Sequence, residues 1–251
     1  MFNMVSDRIT ISVVSHGQAA LVHALLKDLA CYCGDTVGVI LTLNIPESLP
    51  FSLDEFPFPV RLIRNASRKG FGANHNAAFR QVKADYLAIL NPDVRLYENP
   101  FPALVGALSD PEIGIVAPLI LHPGGRVEDS ARRFPTPLAI LRKSLGFAGS
   151  PDYVIHADPV RVDWLAGMFL VLTPDSFSTV RGFDEEYFLY YEDVDLCWRL
   201  QQSQRGALLI PGARAVHDAR RESHRNLQYL LWHASSMLRF FRKQCATNHT
   251  P

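Results

Sequence analysis

Apolar residues in the first two-thirds of the chain fall into short, nearly unbroken runs, separated by stretches where they recur with helical spacing. RITISVVS (8–15) is short and β-branched and reads as a strand; the following AALVHALLKDLACY sets Leu21, Leu25, Leu29 and Tyr32 on one helical face. TVGVILTL (36–43) and VRLIR (60–64) read as a second and a third strand, GANHNAAFRQVKA (72–84) as a helix and YLAIL as a fourth strand. Near-continuous apolar strands alternating with helices predict an α/β fold with a mostly parallel sheet covered on both faces. Ligands of such sheets sit beyond the carboxyl ends of the strands, near a switch in strand order.

A proline turn opens the helix in ENPFPALVGALSD, and IGIVAPLIL reads as the next strand. Residues 122–163 are punctuated by HPGG, FPTP and GSPD, and read as loops and short edge elements with a flap over the site as one use. VDWLAGMFLVLT reads as one strand, EDVDLCWRLQQSQ as a helix, GALLIPGA as a short strand and 223–243 as a long terminal helix. No segment is rich enough in Pro and Gly to mark a linker, so residues 1–251 form one domain.

The composition leaves this picture standing and removes alternatives. With 25 basic and 25 acidic residues the formal charge is zero, which argues against a general nucleic-acid surface. MFNMVSDRITISVVS lacks the basic head and cleavage site of a signal peptide, and runs such as WLAGMFLVL are too short to span a bilayer, so a cytoplasmic protein is expected. Cys31, Cys33, Cys197 and Cys245 lack zinc-site spacing and read as structural thiols.

Four stretches carry candidate chemistry. KGFGANHN (69–76) holds His75 where a dinucleotide fingerprint needs its third glycine, and it follows the third strand rather than the first. Its glycines admit close backbone approach to a ligand, with Lys69, Asn74 and Asn76 in reach of a phosphate or base; a tight turn with a helix cap is the alternative. Asp93 leaves the strand YLAIL on a rigid Asn91-Pro92 turn, which suits a Mg²⁺ or Mn²⁺ that also takes substrate phosphate oxygens, or simply a turn residue. In FLYYEDVDLCWR, Glu192, Asp193 and Asp195 open a helix, either as dipole-favoured acids or as a general base facing a sugar hydroxyl. PGARAVHDARRESHRN offers His217 as a metal ligand and Arg220 and Arg221 to a diphosphate, or a solvated basic loop.

In this order, RNASRKGFGANHNAAF, LNPDV, VDWLAGMFLVLTPDSF, GFDEEYFLYYEDVDLCWRL and IPGARAVH resemble the inverting nucleotide-sugar glycosyltransferases of family 2, which have the GT-A fold. Within them the chain is similar to the bacterial rhamnosyltransferase-like branch that builds O-antigen, capsule or other cell-surface glycans. The resemblance runs from Arg8 to Arg242 and implies a nucleotide-binding part (8–120), an acceptor and catalytic part (121–222) and a C-terminal helix (223–243). It implies transfer, with inversion, from a dTDP- or UDP-linked sugar to a glycan or lipid-linked glycan acceptor. Asp93 then becomes the last acid of a D-x-D-type motif for Mg²⁺ or Mn²⁺, with Asn91 where many relatives have the first Asp. Asp193 takes the role of catalytic base beside Glu192, His217 completes the metal site, and Trp164 and Gly167 belong to the acceptor wall. Ser15, His16, Asn44, Lys69, Gly70, Asn74 and Arg220 fall on the nucleotide and diphosphate side.

One departure stands out. Family members carry an acid just after the second strand, where LTLNIPES has Asn44. It supports the alternative of a degenerate scaffold that binds a partner enzyme or glycan. The terminal helix, with Leu227, Leu230, Leu231, Trp232, Leu238, Phe240 and Phe241 among basic residues, reads either as core-packed or as interfacial, holding the protein at the inner face of the cytoplasmic membrane.

Overall fold

The computed structural model describes residues 8–145, 151–218 and 227–247. Its elements are β1 (Ile9–Ser15), α1 (Ala19–Tyr32), β2 (Val37–Leu43), β3 (Val60–Arg64), α2 (Phe71–Phe79), β4 (Tyr86–Leu90), β5 (Val94–Arg95), α3 (Phe101–Ala107) and β6 (Ile113–Leu121). There follow β7 (Ala131–Arg132), α4 (Pro137–Ser144), β8 (Val160–Val162), β9 (Trp164–Leu165), β10 (Phe169–Leu172), α5 (Pro174–Thr179), α6 (Glu192–Gln202), β11 (Gly206–His217) and α7 (Leu227–Thr247).

The main sheet has the order β3-β2-β1-β4-β10-β6-β11-β5, with β8 also on β11. β3, β2, β1, β4, β6 and β11 run one way, and β10, β5 and β8 run against them. The unbroken apolar strands of the sequence are the inner ones: every residue of β2 is buried, whereas edge strand β3 has no fully buried residue and exposes Arg61 and Arg64. On β10, Phe169 and Val171 face one core with α1 and α3; Leu170 and Leu172 face the other, with α5, α6 and Phe240 of α7. The helices thus cover both faces.

Chain order reverses at β1, from which β2 lies to one side and β4 to the other. β1, β2 and β4 therefore end along one edge of the sheet, beside a switch point. β10 is antiparallel to β4, with Phe169 opposite Leu90, so its start lies at the same edge, and the Asn91 N–H donates to the Met168 carbonyl over 2.9 Å. β11 ends there as well, with His217 paired to Val94 of β5.

Several expectations change. VDWLAGMFLVLT is not one strand: β9 pairs with β7 in a separate two-stranded sheet, and the chain breaks at Ala166–Met168 before β10. The helix expected over 72–84 ends at Phe79, and the strand read as GALLIPGA continues to His217 across a register shift between Ile210 and Arg214. On α1 the buried face is Val22, Leu25, Leu26 and Leu29, with Asp28 buried among them on Arg95; Tyr32 is exposed.

Helix α7 is two-faced. Phe240 is fully buried, the Ser236 hydroxyl donates to the Leu189 carbonyl, and Arg239 and Lys243 pair with Asp184. Those two cations hold the Asp184 carboxyl down at about 2, against burial that pushes it upward. The opposite face exposes Leu227, Leu230, Leu231 and Leu238.

Candidate active site

The Asn91-Pro92-Asp93-Val94 turn is closed by the Val94 N–H donating to the Asn91 carbonyl, with proline at the second position. It delivers Asp93 to the edge beside His217. His217 Nε2 lies 3.4 Å from Asp93 Oδ1, and its Nδ1 lies 3.0 Å from Glu128 Oε2. Burial opposes protonation of this imidazole, yet the two carboxylates outweigh it and push its pKa above the ordinary value. Asp93 Oδ1 is buried without a hydrogen-bond partner. An orphaned carboxylate oxygen beside an imidazole whose other nitrogen is fixed by a carboxylate is a donor set that fits a divalent cation. Among the described residues no group of three or more His, Cys, Asp or Glu is placed to enclose a metal, so other ligands would come from water and substrate. Glu128 went unnoticed in the sequence, because an acid in an irregular loop carries no local signal.

At the amino end of α6, Asp193 accepts from two backbone groups, Oδ2 from the Gly167 N–H and Oδ1 from the Val194 N–H, each at 2.9 Å. Burial raises its pKa, while those N–H groups and the charge of Arg132 hold it back. Glu192 is buried with Oε2 unpartnered, and burial plus the Asp193 charge push it well above the usual carboxylate range. Of the two, Glu192 is pushed upward further by burial and by its neighbour, while Asp193 is the one that backbone N–H groups hold back. Asp195 is not part of this cluster: two helical positions on, it faces away and binds Arg199 and Lys243.

The chain entering α6 is strained. Tyr190 and Tyr191 sit at φ 70° and 67°, where bulky side chains cost about 1–3 kcal/mol each. Both rings lie against His233 of α7. The two ends of the site are joined by short links: Asp193 to Gly167, Met168 to Asn91, and Asn91 through its turn to Asp93.

The nucleotide-side residues meet a different fate from the one expected. The Asn44 amide is fully engaged within the protein, accepting from Asn65 and the Lys69 N–H and donating to the Lys69 carbonyl. Asn74 binds Asn65 and the Gly70 carbonyl, and Asn76 binds both backbone groups of Phe183. These asparagines shape the 65–70 loop and its neighbours rather than face a ligand. Gly70 is required by packing, since a Cβ there would lie 2.7 Å from the Phe188 carbonyl oxygen. The Lys69 side chain is exposed, and Arg68 lies over the Phe188 and Trp232 rings.

The Ser15 hydroxyl is buried and accepts the Gln18 N–H, so it closes the turn after β1. His16 is half-buried; burial and then Arg68 lower its pKa, and Glu47 opposes them. The acid absent at Asn44 has a near neighbour in Glu47, whose Oε1 accepts the Gly17 N–H and whose Oε2 is buried without a partner. Trp164 is buried with its indole N–H on the Arg133 carbonyl, a support for the acceptor side rather than an open stacking face. Arg220 lies outside the described residues, as does Arg221. A depression of ≈ 430 Å³ lined by Glu112, Arg161, Asp163, Gln201 and Arg205 contains none of the site residues.

Residues 44–168 match the family described as Glycosyl transferase family 2. The rhamnosyltransferase WbbL of Escherichia coli is 30% identical over 193 residues, covering 71% of this chain and 73% of that protein. The N-acetylglucosaminyl-diphospho-decaprenol L-rhamnosyltransferase of Mycobacterium tuberculosis is 30% identical over 182 residues, or 63% of this chain and 58% of that protein. Among solved structures, GalNAc-T7 with UDP, GalNAc and Mn²⁺ superposes with a TM-score of 0.65 at 18% identity, over 85% of this chain and 43% of the other. The mannosyltransferase PcManGT from Pyrobaculum calidifontis, with GDP-Man and Mn²⁺, gives 0.64 at 16% identity, over 92% and 64%. These glycosyltransferases share the GT-A fold of the chain.

Proposed function

Because the chain belongs to glycosyl transferase family 2, we propose that it moves a sugar from a nucleotide-diphospho-sugar to a hydroxyl of a glycan or lipid-linked glycan, with inversion, in cell-surface polysaccharide synthesis. The observation that carries this reading is the carboxylate of Asp193, held by two backbone N–H groups beside buried Glu192 and linked through Gly167, Met168 and Asn91 to the Asp93–His217–Glu128 cluster. One end suits removal of a proton; the other suits a diphosphate. The two relatives above are named as rhamnosyltransferases, and one as acting on a diphospho-linked sugar, which favours a deoxyhexosyl donor carried on dTDP or UDP.

Asp193 takes the proton of the acceptor hydroxyl as its oxygen attacks the anomeric carbon from the face opposite the leaving group. Its two backbone N–H partners fix both carboxylate oxygens, so it meets the hydroxyl in one orientation. Burial and the Asp193 charge push Glu192 well above the usual carboxylate range, which favours its neutral form and leaves Asp193 as the acting base. At the other end Asp93 and His217 would hold Mg²⁺ or Mn²⁺, with Glu128 orienting the imidazole. Bound there, the cation would neutralise the charge that develops on the departing nucleoside diphosphate.

Calorimetry with dTDP, UDP, GDP and CMP, each in Mn²⁺ and in EDTA, tests the donor half. One of dTDP or UDP is expected to bind at least about tenfold more tightly with Mn²⁺ than in EDTA, and Asp93→Ala to remove that difference. Absence of binding by all four would return the chain to the scaffold reading, which a buried, internally consistent base does not favour.

The exposed leucines of α7, with Leu138 and Leu141 of α4, Leu145 just beyond it and exposed Arg142 and Arg242, favour seating on an anionic bilayer surface. Among the described residues no helix is long and apolar enough to cross a membrane. Wild-type protein is expected to cosediment with vesicles containing phosphatidylglycerol, and a Leu230→Glu, Leu231→Glu variant to bind at least about tenfold less. Wild-type protein remaining in the supernatant ends this part of the reading.

A further inference from the structure

Arg132 has no part in the chemistry above, yet its charge bears on the Asp193 carboxyl. It lies on β7 directly opposite Trp164 of β9. Its guanidinium carbon is 5.4 Å from the centre of the indole, and its Nε is 2.9 Å from Asp129 Oδ2. Trp164 is in turn locked by its bond to the Arg133 carbonyl. Two residues beyond β9, Gly167 holds Asp193, and the positive charge of Arg132 reaches that carboxylate. Arg133, just past the strand, is engaged elsewhere, with its guanidinium over the Tyr153 ring at 5.7 Å.

A guanidinium placed over an indole, with its Nε tied to the Asp129 carboxylate and carbonyl, is restrained at its inner end; the side chain is 39% exposed. That arrangement is pre-organised for two parallel hydrogen bonds to an oxyanion. A surface ion pair with Asp129 alone contributes little to stability and would not need the indole. The leaving diphosphate of the donor belongs to the Asp93–His217 end. An anion arriving at the Asp193 end comes with the acceptor.

We propose that Arg132 recognises a phosphate or diphosphate ester on the reducing end of the acceptor sugar, and so selects phosphate-linked acceptors over neutral glycosides. This rests on the glycosyltransferase reading above. It makes Arg132 a specificity-determining residue one sugar ring away from the hydroxyl that Asp193 activates.

The test compares two probes by calorimetry in EDTA, which removes divalent-dependent binding at the donor end. One is an N-acetylglucosaminyl diphosphate carrying a short prenyl chain; the other is the same prenyl N-acetylglucosaminide without phosphate. Wild-type protein is expected to prefer the diphosphate compound by at least about tenfold, Arg132→Ala to lose that preference, and Arg132→Lys to recover part of it. Mn²⁺-dependent nucleotide binding should be the same in all three proteins. The proposal is overturned if wild type shows no preference or if Arg132→Ala keeps it. It is also overturned if Arg132→Ala weakens nucleotide binding as much as acceptor binding, which would move the arginine to the donor side. If Arg132 served only to keep Asp193 ionised, the preference would survive and the acid limb of the rate profile would move instead. The probe preference is readable even if wild type binds no nucleotide, so failure of the function and failure of this inference give different results.

Discussion

Transfer by the Asp193→Asn protein is expected to fall by about 10²–10⁴-fold, the usual loss when a positioned general base is removed. Mn²⁺-dependent nucleotide binding should stay within about threefold of wild type, because Asp193 belongs to the acceptor end. Both oxygens of Asp193 accept backbone N–H groups, and an asparagine can accept only one of them. A small loss of melting temperature is therefore expected as well, and the binding control separates it from the chemical effect. Glu192→Gln should behave differently. Burial and the Asp193 charge push the Glu192 carboxyl well above the usual range, so a neutral amide of the same shape should leave the rate within about fivefold of wild type. The wild-type profile carries the same assignment. A base must be ionised to act, and burial raises the Asp193 pKa, so kcat/KM should fall on the acid side at a pH above the ordinary carboxylate value. Activity in Asp193→Asn near that of wild type would remove Asp193 from the reaction.

Asp195→Ala is expected to destabilise the fold by roughly 3 kcal/mol, at the lower end for breaking a buried ion pair. Asp195 is fully buried, with Arg199 Nε and Lys243 Nζ each 2.6 Å from one of its oxygens. The lower end applies because the partners are not stranded: Lys243 keeps Asp184, and Arg199 keeps the carbonyls of Val180 and Gly182. For a chain of this size the shift is a melting temperature lower by about 6–12 °C, measured by circular dichroism. At a temperature where the variant remains folded, transfer should persist. A variant that melts with wild type but has lost activity would put Asp195 back among the catalytic carboxylates.

The sheet was legible because its inner strands are apolar on both faces and short enough to exclude helices, and Asp93 was legible because proline sets its turn. VDWLAGMFLVLT misled because its apolar run continues through Ala166–Met168, where the backbone leaves the strand to bind Asp193. Asn44 and Asn74 have the polarity of ligand contacts, and no spacing rule distinguishes an amide that faces a nucleotide from one that closes a loop. Asp193 and Asp195 look equivalent in sequence; two steps of helix separate a carboxylate held by backbone N–H groups from one buried in ion pairs. Glu128 and Arg132 drew no attention because each acquires its meaning from a partner far along the chain, His217 for one and Trp164 for the other.

Helix α7 gives the chain a boundary that its family signature does not. The matched span, 44–168, leaves out β1, Asp193, His217 and everything after them. The strained loop that leads into Asp193 is held from outside that span, by Ser236 on Leu189, by His233 against two tyrosines, and by Arg239 and Lys243 on Asp184. Trp232 reaches the other half of the protein through Arg68. What is inherited as a recognisable segment and what folds as a working unit are therefore two different lengths of chain. A fragment trimmed to the first would carry the signature of the family without Asp193 or His217.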